Sequence, residues 1–455
     1  MDIRGFRSAT LAVQQLDLSL LRGTLLPLML RNVASDGFVM IDPTVFERGA
    51  GADPAEFLSK PGCIIASPSY HLDLQTVSQN YVFNWMRDSA IVATEIALAD
   101  IPKRPADGLG PLDDYVTFAA LCRSTVGQDL DNAKFTIEGQ PVAGWPRQND
   151  GPALQALALL TSYASLDGSS QQAARDLIEA DVAFVLARWP DANTNLWEEV
   201  NGQSLFTRSV QLRCLTALRD NTLGLAVPPG LAEAIAGLDA AIATHWVDGA
   251  YVSVLGPTNP RPGYDPNADV IAACLYGALS CTDPKLLATA SQIRRYWTDP
   301  ATGYPINATD GALGIGPLIG RYPGDIYDGN VVSTDDPGAT RGHPWVVCTA
   351  NFAELYFRTA AAILADGVPS DPAAADFFTQ AGTQAQAPAA AAAAALAAAG
   401  DQMLQSLIYH SDHLELSEQF DETTGFEKSV RNLSWSYAAC LSALRAREAY
   451  LKVAR

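Results

Sequence analysis

The chain has 455 residues, with 30 Lys and Arg against 50 Asp and Glu for a formal charge of −20, and 48% apolar and 18% charged residues. This composition describes a soluble globular protein, and the acidic excess excludes the basic surfaces that neutralise nucleic acid or an anionic membrane. No uncharged apolar run reaches the ~18 residues of a transmembrane helix. The start, Met1 to Gly5, lacks the basic opening and apolar core of a secretory signal, so the default location is cytoplasmic. Seven cysteines without a CxxC pair and only five histidines support neither a disulfide scaffold nor a structural zinc site.

In chain order, apolar residues recur at three- and four-residue steps over Leu11 to Leu30, Ile91 to Leu98, Tyr115 to Leu121 and Leu154 to Tyr163. The same period returns over Leu177 to Leu186, Val210 to Leu218, Leu231 to Ile242, Val270 to Leu279, Leu286 to Tyr296, Val346 to Ile363 and Leu433 to Leu444. Asp150-Gly151-Pro152 offers an N-cap followed by an early proline, and Asp167-Gly168 closes that segment. The nearly pure Ala run from Pro388 to Ala399 is a helix that Pro388 starts and small side chains let pack closely. Pro369 to Pro372 and Gln384 to Pro388 read as surface connections flanking it. Strand-like alternation is confined to Gly62 to Ala66 and Ala250 to Leu255. About a dozen helices without regular strand alternation exclude Rossmann and TIM-type folds and predict an all-α toroid whose long loops carry function.

Five loops concentrate aromatic and charged residues. They are Tyr81 to Asp88, Gly144 to Pro152, Leu196 to Val200, Arg321 to Asp325 with Gly342 to Trp345, and Leu416 to Asp421. Sugars suit this mixture, because their C–H faces stack on Trp and Tyr while their hydroxyls need paired donors and acceptors.

The loops, in this order, make the chain resemble the glucoamylase family of glycoside hydrolases, family 15, from Ile64-Ile65-Ala66-Ser67-Pro68-Ser69 to Leu433-Ser434-Trp435-Ser436-Tyr437-Ala438. The resemblance implies one (α/α)6 barrel domain over residues 1–455, with a pocket at one end. It also implies an inverting exo-acting α-glucosidase that releases β-glucose from non-reducing ends of α-1,4 or α-1,6 glucans and oligosaccharides, without cofactor or metal. Glu198 matches the general acid and Glu418 the general base, which inverting enzymes hold roughly 6.5 to 9.5 Å apart. Arg87, Asp88 and Arg321 match groups that hold the terminal glucose, Tyr81 an aromatic near the attacking water, and Glu199 a substrate-binding carboxylate. Trp85, Trp145, Trp197, Asp325 and Trp345 complete the implied substrate site.

Three departures bear on specificity. Gly144-Trp145-Pro146-Arg147-Gln148 replaces the family's Trp-Gly-Arg-Pro-Gln order, displacing Trp145 from its stacking position. Asp328 to Gly342 is an expanded segment, and no starch-binding domain follows Arg455. The competing reading is a catalytically silent sugar-binding toroid like the regulatory subunits of phosphorylase kinase; retention of both Glu198 and Glu418 favours the enzyme.

Overall fold

The computed structural model describes residues 18–34, 39–41, 56–69, 80–329 and 341–455. Within them the chain folds into fourteen helices and a few strands of two to four residues. The helices are α1 (Leu18–Leu30), α2 (Met86–Leu98), α3 (Pro111–Val126), α4 (Asp150–Ser162), α5 (Gly168–Arg188), α6 (Leu205–Arg219) and α7 (Leu231–Ala243). They continue as α8 (Asp269–Leu275), α9 (Pro284–Thr298), α10 (Pro305–Leu313), α11 (Val346–Asp366), α12 (Ala375–Gln380), α13 (Ala389–His410) and α14 (Ser434–Val453).

Neighbour relations close a ring. Helices α2, α4, α6, α8, α11 and α14 each pack on the next, and α14 returns to α2. Outside them lie α3, α5, α7, α9 and α13, and α1 completes the sixth pair by packing on α14. This is the (α/α)6 barrel expected from the motifs. Its seam is tied by polar groups: the Asn32 amide donates to Ser434 Oγ at 2.8 Å and to the Asn432 carbonyl at 2.7 Å.

Helix α13 follows directly after Pro388, and its small residues do the work expected of them. Ala392, Ala393 and Ala397 are buried, and a Cβ added at Gly400 would come within 2.7 Å of the Phe357 ring on α11. Only a glycine permits that approach. Phe357 is fully buried, so its truncation to Ala would cost about 3 to 5 kcal/mol.

Some local expectations are corrected. Gly62 to Ala66 is no strand; Val33 and Ile64 form an isolated bridge, and the Ala66 amide bonds to the Phe83 carbonyl instead. Ala250 to Leu255 divides, Ala250–Tyr251 pairing with Trp246–Val247 and Val254–Leu255 with the strand Asn201–Ser204. Asp150 is the first residue of α4 rather than its cap, because its carboxylate is taken by Arg87. Asp167 caps α5 through the Ser169 amide instead of ending α4, and α8 stops at Leu275, short of Leu279. The stretch 11–17 of the first expected helix, and 330–340 of the expanded segment, lie outside the described residues.

One buried acid opposes the fold. Asp181 on α5 is 1% exposed, and neither of its carboxylate oxygens has a hydrogen-bond partner. Burial raises its pKa well above the usual range, against the attraction of Arg123. A carboxyl whose folded pKa is raised costs nothing below its unfolded pKa, about 3.9, and lowers stability as pH climbs from there through the folded value. Asp181→Asn is therefore expected to stabilise the protein by about 1 to 2 kcal/mol at pH 8, with the gain vanishing toward pH 4. Calorimetric melting across that range checks this; a variant that melts below wild type at pH 8 contradicts it.

Candidate active site

In four of the inner helices, α2, α6, α11 and α14, the first amide is met by a carbonyl from a loop. The Met86 amide of α2 donates to the Ala133 carbonyl at 2.9 Å, and Leu205 of α6 to Ser253 at 2.8 Å. Val346 of α11 donates to the carbonyl of Glu418 at 3.1 Å, and Ser434 of α14 to Ala66 at 2.8 Å. Groups that a helix start leaves unsatisfied thus pin the loops around a common mouth.

That mouth holds a cavity of about 460 Å³, a size suited to small-molecule sites. Eleven of the twelve residues expected at the site line it: Tyr81, Trp85, Arg87, Asp88, Trp145, Trp197, Glu198, Glu199, Arg321, Trp345 and Glu418. Asp325 does not. It stands behind Arg321 and receives Nε at 2.9 Å and Nη2 at 2.6 Å in a two-pronged bond. A Cβ at Gly342 would strike the Asp325 carboxyl carbon at 2.5 Å, so a bare backbone is needed at that point.

Two buried guanidiniums organise the charges. Arg321 reaches Glu199 Oε1 at 3.0 Å, and the Tyr322 hydroxyl donates to Glu199 Oε2 at 2.5 Å. Its cation also sits 5.0 Å from the Trp345 ring centre and 5.5 Å from that of Trp197. Arg87 lies 3.4 Å from both Asp150 and Glu198 and 3.3 Å from Asp88. The Oδ2 atom of Asp88 has no hydrogen-bond partner. Burial, opposed by Arg87, pushes the Asp88 carboxyl up to about 6. Asp88 thus lines the cavity while its Oδ2 is buried against Arg87 Nε.

The two expected catalytic carboxyls have different surroundings. Glu198 follows a turn built on Asn195, whose Oδ1 accepts from the Glu199 and Val200 amides at 3.2 and 3.0 Å. The Asn195 amide group donates to the Tyr264 hydroxyl at 2.5 Å, and its carbonyl accepts from Gln148 at 2.8 Å. This turn holds Glu198 at φ 64°, a left-handed conformation that costs a side-chain-bearing residue about 1 to 2 kcal/mol. Burial raises the Glu198 pKa, and Arg87 then opposes the rise; the Trp145 indole N–H pulls the same way, short of a full hydrogen bond.

Glu418 is held by hydroxyls. Tyr81 donates to Oε1 at 2.8 Å, Tyr327 to Oε2 at 3.0 Å, and Ser429 also to Oε2. Burial raises its pKa, while these three bonds, Ser429 foremost, favour the charged form.

Trp145 faces the cavity edge-on to Trp85, with ring centres 5.6 Å apart. The Lys134 ammonium lies 3.8 Å from the centre of the Trp145 ring and 4.4 Å from that of Trp85. Lys134, Tyr327 and Trp435 line the cavity without having been singled out from sequence. Trp435 stood inside a quoted motif and Tyr327 two residues beyond Asp325, whereas Lys134 had no flanking pattern. Asn267 also escaped notice; its Oδ1 accepts the Trp197 indole N–H at 2.8 Å.

Residues 55–445 match the family model described as Glycosyl hydrolases family 15. The chain belongs to that family. Among family 15 relatives, the probable glucoamylase of Schizosaccharomyces pombe is 29% identical over 415 residues, covering 86% of this chain and 85% of its own length. Glucoamylase 1 of Rhizopus oryzae is 28% identical over 408 residues, 81% of this chain and 65% of that protein. The solved family 15 glucoamylase from Hypocrea jecorina shares the fold at TM-score 0.75, with 23% identity over 95% of this chain and 72% of that one.

The Asn195 turn supplies a test of how the geometry is held. Asn195→Ala removes the one side-chain oxygen that accepts from both amides, and a misplaced Glu198 is expected to lower the rate of glycoside hydrolysis by about tenfold to a hundredfold. Steady-state kinetics beside a melting curve separate this from simple unfolding; an unchanged kcat in a folded variant contradicts it.

Proposed function

We propose that the chain is an inverting, exo-acting α-glucosidase of the glucan 1,4-α-glucosidase type, taking α-glucans and short α-gluco-oligosaccharides from their non-reducing ends. The observation that carries this reading is the contrast between two carboxyls facing one cavity. Glu418, with three hydroxyl donors, suits a carboxylate that activates water. Glu198, half-buried, raised in pKa by desolvation and without hydroxyl donors, suits a carboxylic acid that protonates the leaving oxygen.

In this mechanism Arg87 and Asp88 hold hydroxyls of the terminal glucose, and Arg321 and Glu199 hold those beside them. Trp85, Trp145, Trp197 and Trp345 shape the walls, and Asp325 acts by fixing Arg321. Glu418 removes a proton from water as the oxygen attacks the anomeric carbon. The glycosidic bond breaks on the opposite face, and its oxygen takes the proton of Glu198. One displacement inverts the configuration, so an α-linkage yields β-glucose.

A silent sugar-binding toroid is disfavoured because both carboxyls stand ready with their partners. The closure of the barrel by α1 against α14 supports reading the chain as one catalytic unit. Among the described residues no helix is long and apolar enough to cross a membrane. Seven unpaired cysteines, six of them buried, suit a reducing compartment, and a cytoplasmic location belongs to the same reading.

Glu198→Gln and Glu418→Gln are each expected to lower kcat on maltose by about 10² or more while leaving melting behaviour near wild type. Proton NMR in the first minutes of wild-type turnover is expected to show β-glucose ahead of its anomer; initial α-glucose contradicts inversion.

The pH profile tests the base separately. The Tyr327 hydroxyl stabilises ionised Glu418, so Tyr327→Phe raises the pKa of a group that must be deprotonated to work. The acid limb of kcat is expected to move up by about one pH unit, with the alkaline limb unmoved. A shift of the alkaline limb alone would reverse the acid and base assignments.

A further inference from the structure

At the opposite end of the inner ring, a second cavity of about 90 Å³ opens among α2, α4, α6, α11 and α14. Its charged lining is basic, with Arg213, Arg358 and Arg445 against a single lining carboxylate, Glu95. Two of these guanidiniums are neutralised. Arg445 pairs with Glu95 and donates to Ser442 Oγ at 3.0 Å, and Arg358 lies 2.5 Å from Glu354 behind the wall.

Arg213 is different. Among the described residues no carboxylate lies within ion-pair distance of it, and its Nη1 donates to the Leu275 carbonyl at 2.9 Å. That bond caps the last residue of α8, which is a structural role for one of five donors. Counting Glu354, three guanidiniums face two carboxylates, an uncompensated positive charge in a chain of net −20. Arg213 stands exposed at the rim, where the like charges of Arg358 and Arg445 act on it against the attraction of Glu354. An anion between them would relieve that repulsion.

The space exceeds the ~10 to 15 Å³ that one water requires on this measure, and the planar forks of arginine match tetrahedral oxyanions in pairs of bonds. We propose that this basic cavity binds a small inorganic oxyanion of the phosphate type, held by Arg213 together with Arg358 and Arg445. Bound there, the ion bridges α6, α11 and α14 at the end remote from the substrate pocket and stabilises the folded barrel by mass action. The site is independent of the proposed hydrolysis.

The test is thermal unfolding of the full chain in inorganic phosphate, and in sulfate, against chloride at equal pH and ionic strength, with glucose present throughout. The expected result is a saturable rise in melting temperature with either oxyanion. Arg213→Gln, at the exposed rim, is expected to lose the rise with glucose release from maltose unchanged, and Arg213→Lys to keep part of it. No saturable rise in wild type, or an equal rise in Arg213→Gln, overturns the proposal. Should Arg213→Gln not fold, calorimetric titration of wild type and Arg213→Lys with phosphate decides: equal affinity in both, or no saturable heat in wild type, overturns it.

Discussion

An α-helix begins with amides that have no partner inside the helix, and in this barrel those amides are what hold the active site together. Four of the six inner helices satisfy the first of them with a carbonyl from a distant loop: Ala133 for α2, Ser253 for α6, Glu418 for α11 and Ala66 for α14. The last two draw on residues far away in the chain. Because the carbonyl of Glu418 meets the first amide of α11 while the residue lines the pocket, helix start and the proposed catalytic geometry are the same construction. Loops of this length would otherwise have little to fix them, since the strands they contain are only a few residues long.

The second constraint is charge in a dry place. Arg87 and Arg321 between them address Asp88, Asp150 and Glu198, and Glu199 and Asp325. Isolated, each of these ions would be expensive to bury; gathered around two guanidiniums they support one another, and removal of either cation would strand several carboxylates at once. Helix starts add to the balance, because Asp88 and Asp150 sit in first turns, where the peptide dipoles favour negative charge. The pocket is thereby preorganised, with Asp88, Glu198 and Glu199 at its lining held by the two guanidiniums.

Much of this was legible in the sequence because the informative residues stand in short motifs. Arg87-Asp88, Trp197-Glu198-Glu199 and the segment around Glu418 each put their side chains on one wall within a few positions, and helical periodicity located the core faces of most helices. Residues that depend on contacts between loops were not legible. Lys134 reaches the pocket because its two-residue strand pairs with Asn84–Trp85, a pairing too short to leave a periodic signal. Asn267 and Ser429 act on Trp197 and Glu418 across sequence distance, and Asp150 looked like a cap because its first-turn position is compatible with both roles. The false strand at Gly62 to Ala66 has the same origin: its alternation is real, but the amides go to loop carbonyls.

The left-handed backbone at Glu198 has a consequence for how such a chain changes over generations. At that position glycine relieves the strain and asparagine tolerates it, so the replacements easiest on the backbone are ones that abolish the proposed proton donation. Stability and turnover pull in opposite directions at a single codon. A copy released from the demand for catalysis would exchange the Arg87–Glu198 contact for a relaxed backbone on losing Glu198, and would keep Arg87, Asp88 and the tryptophan walls at its pocket.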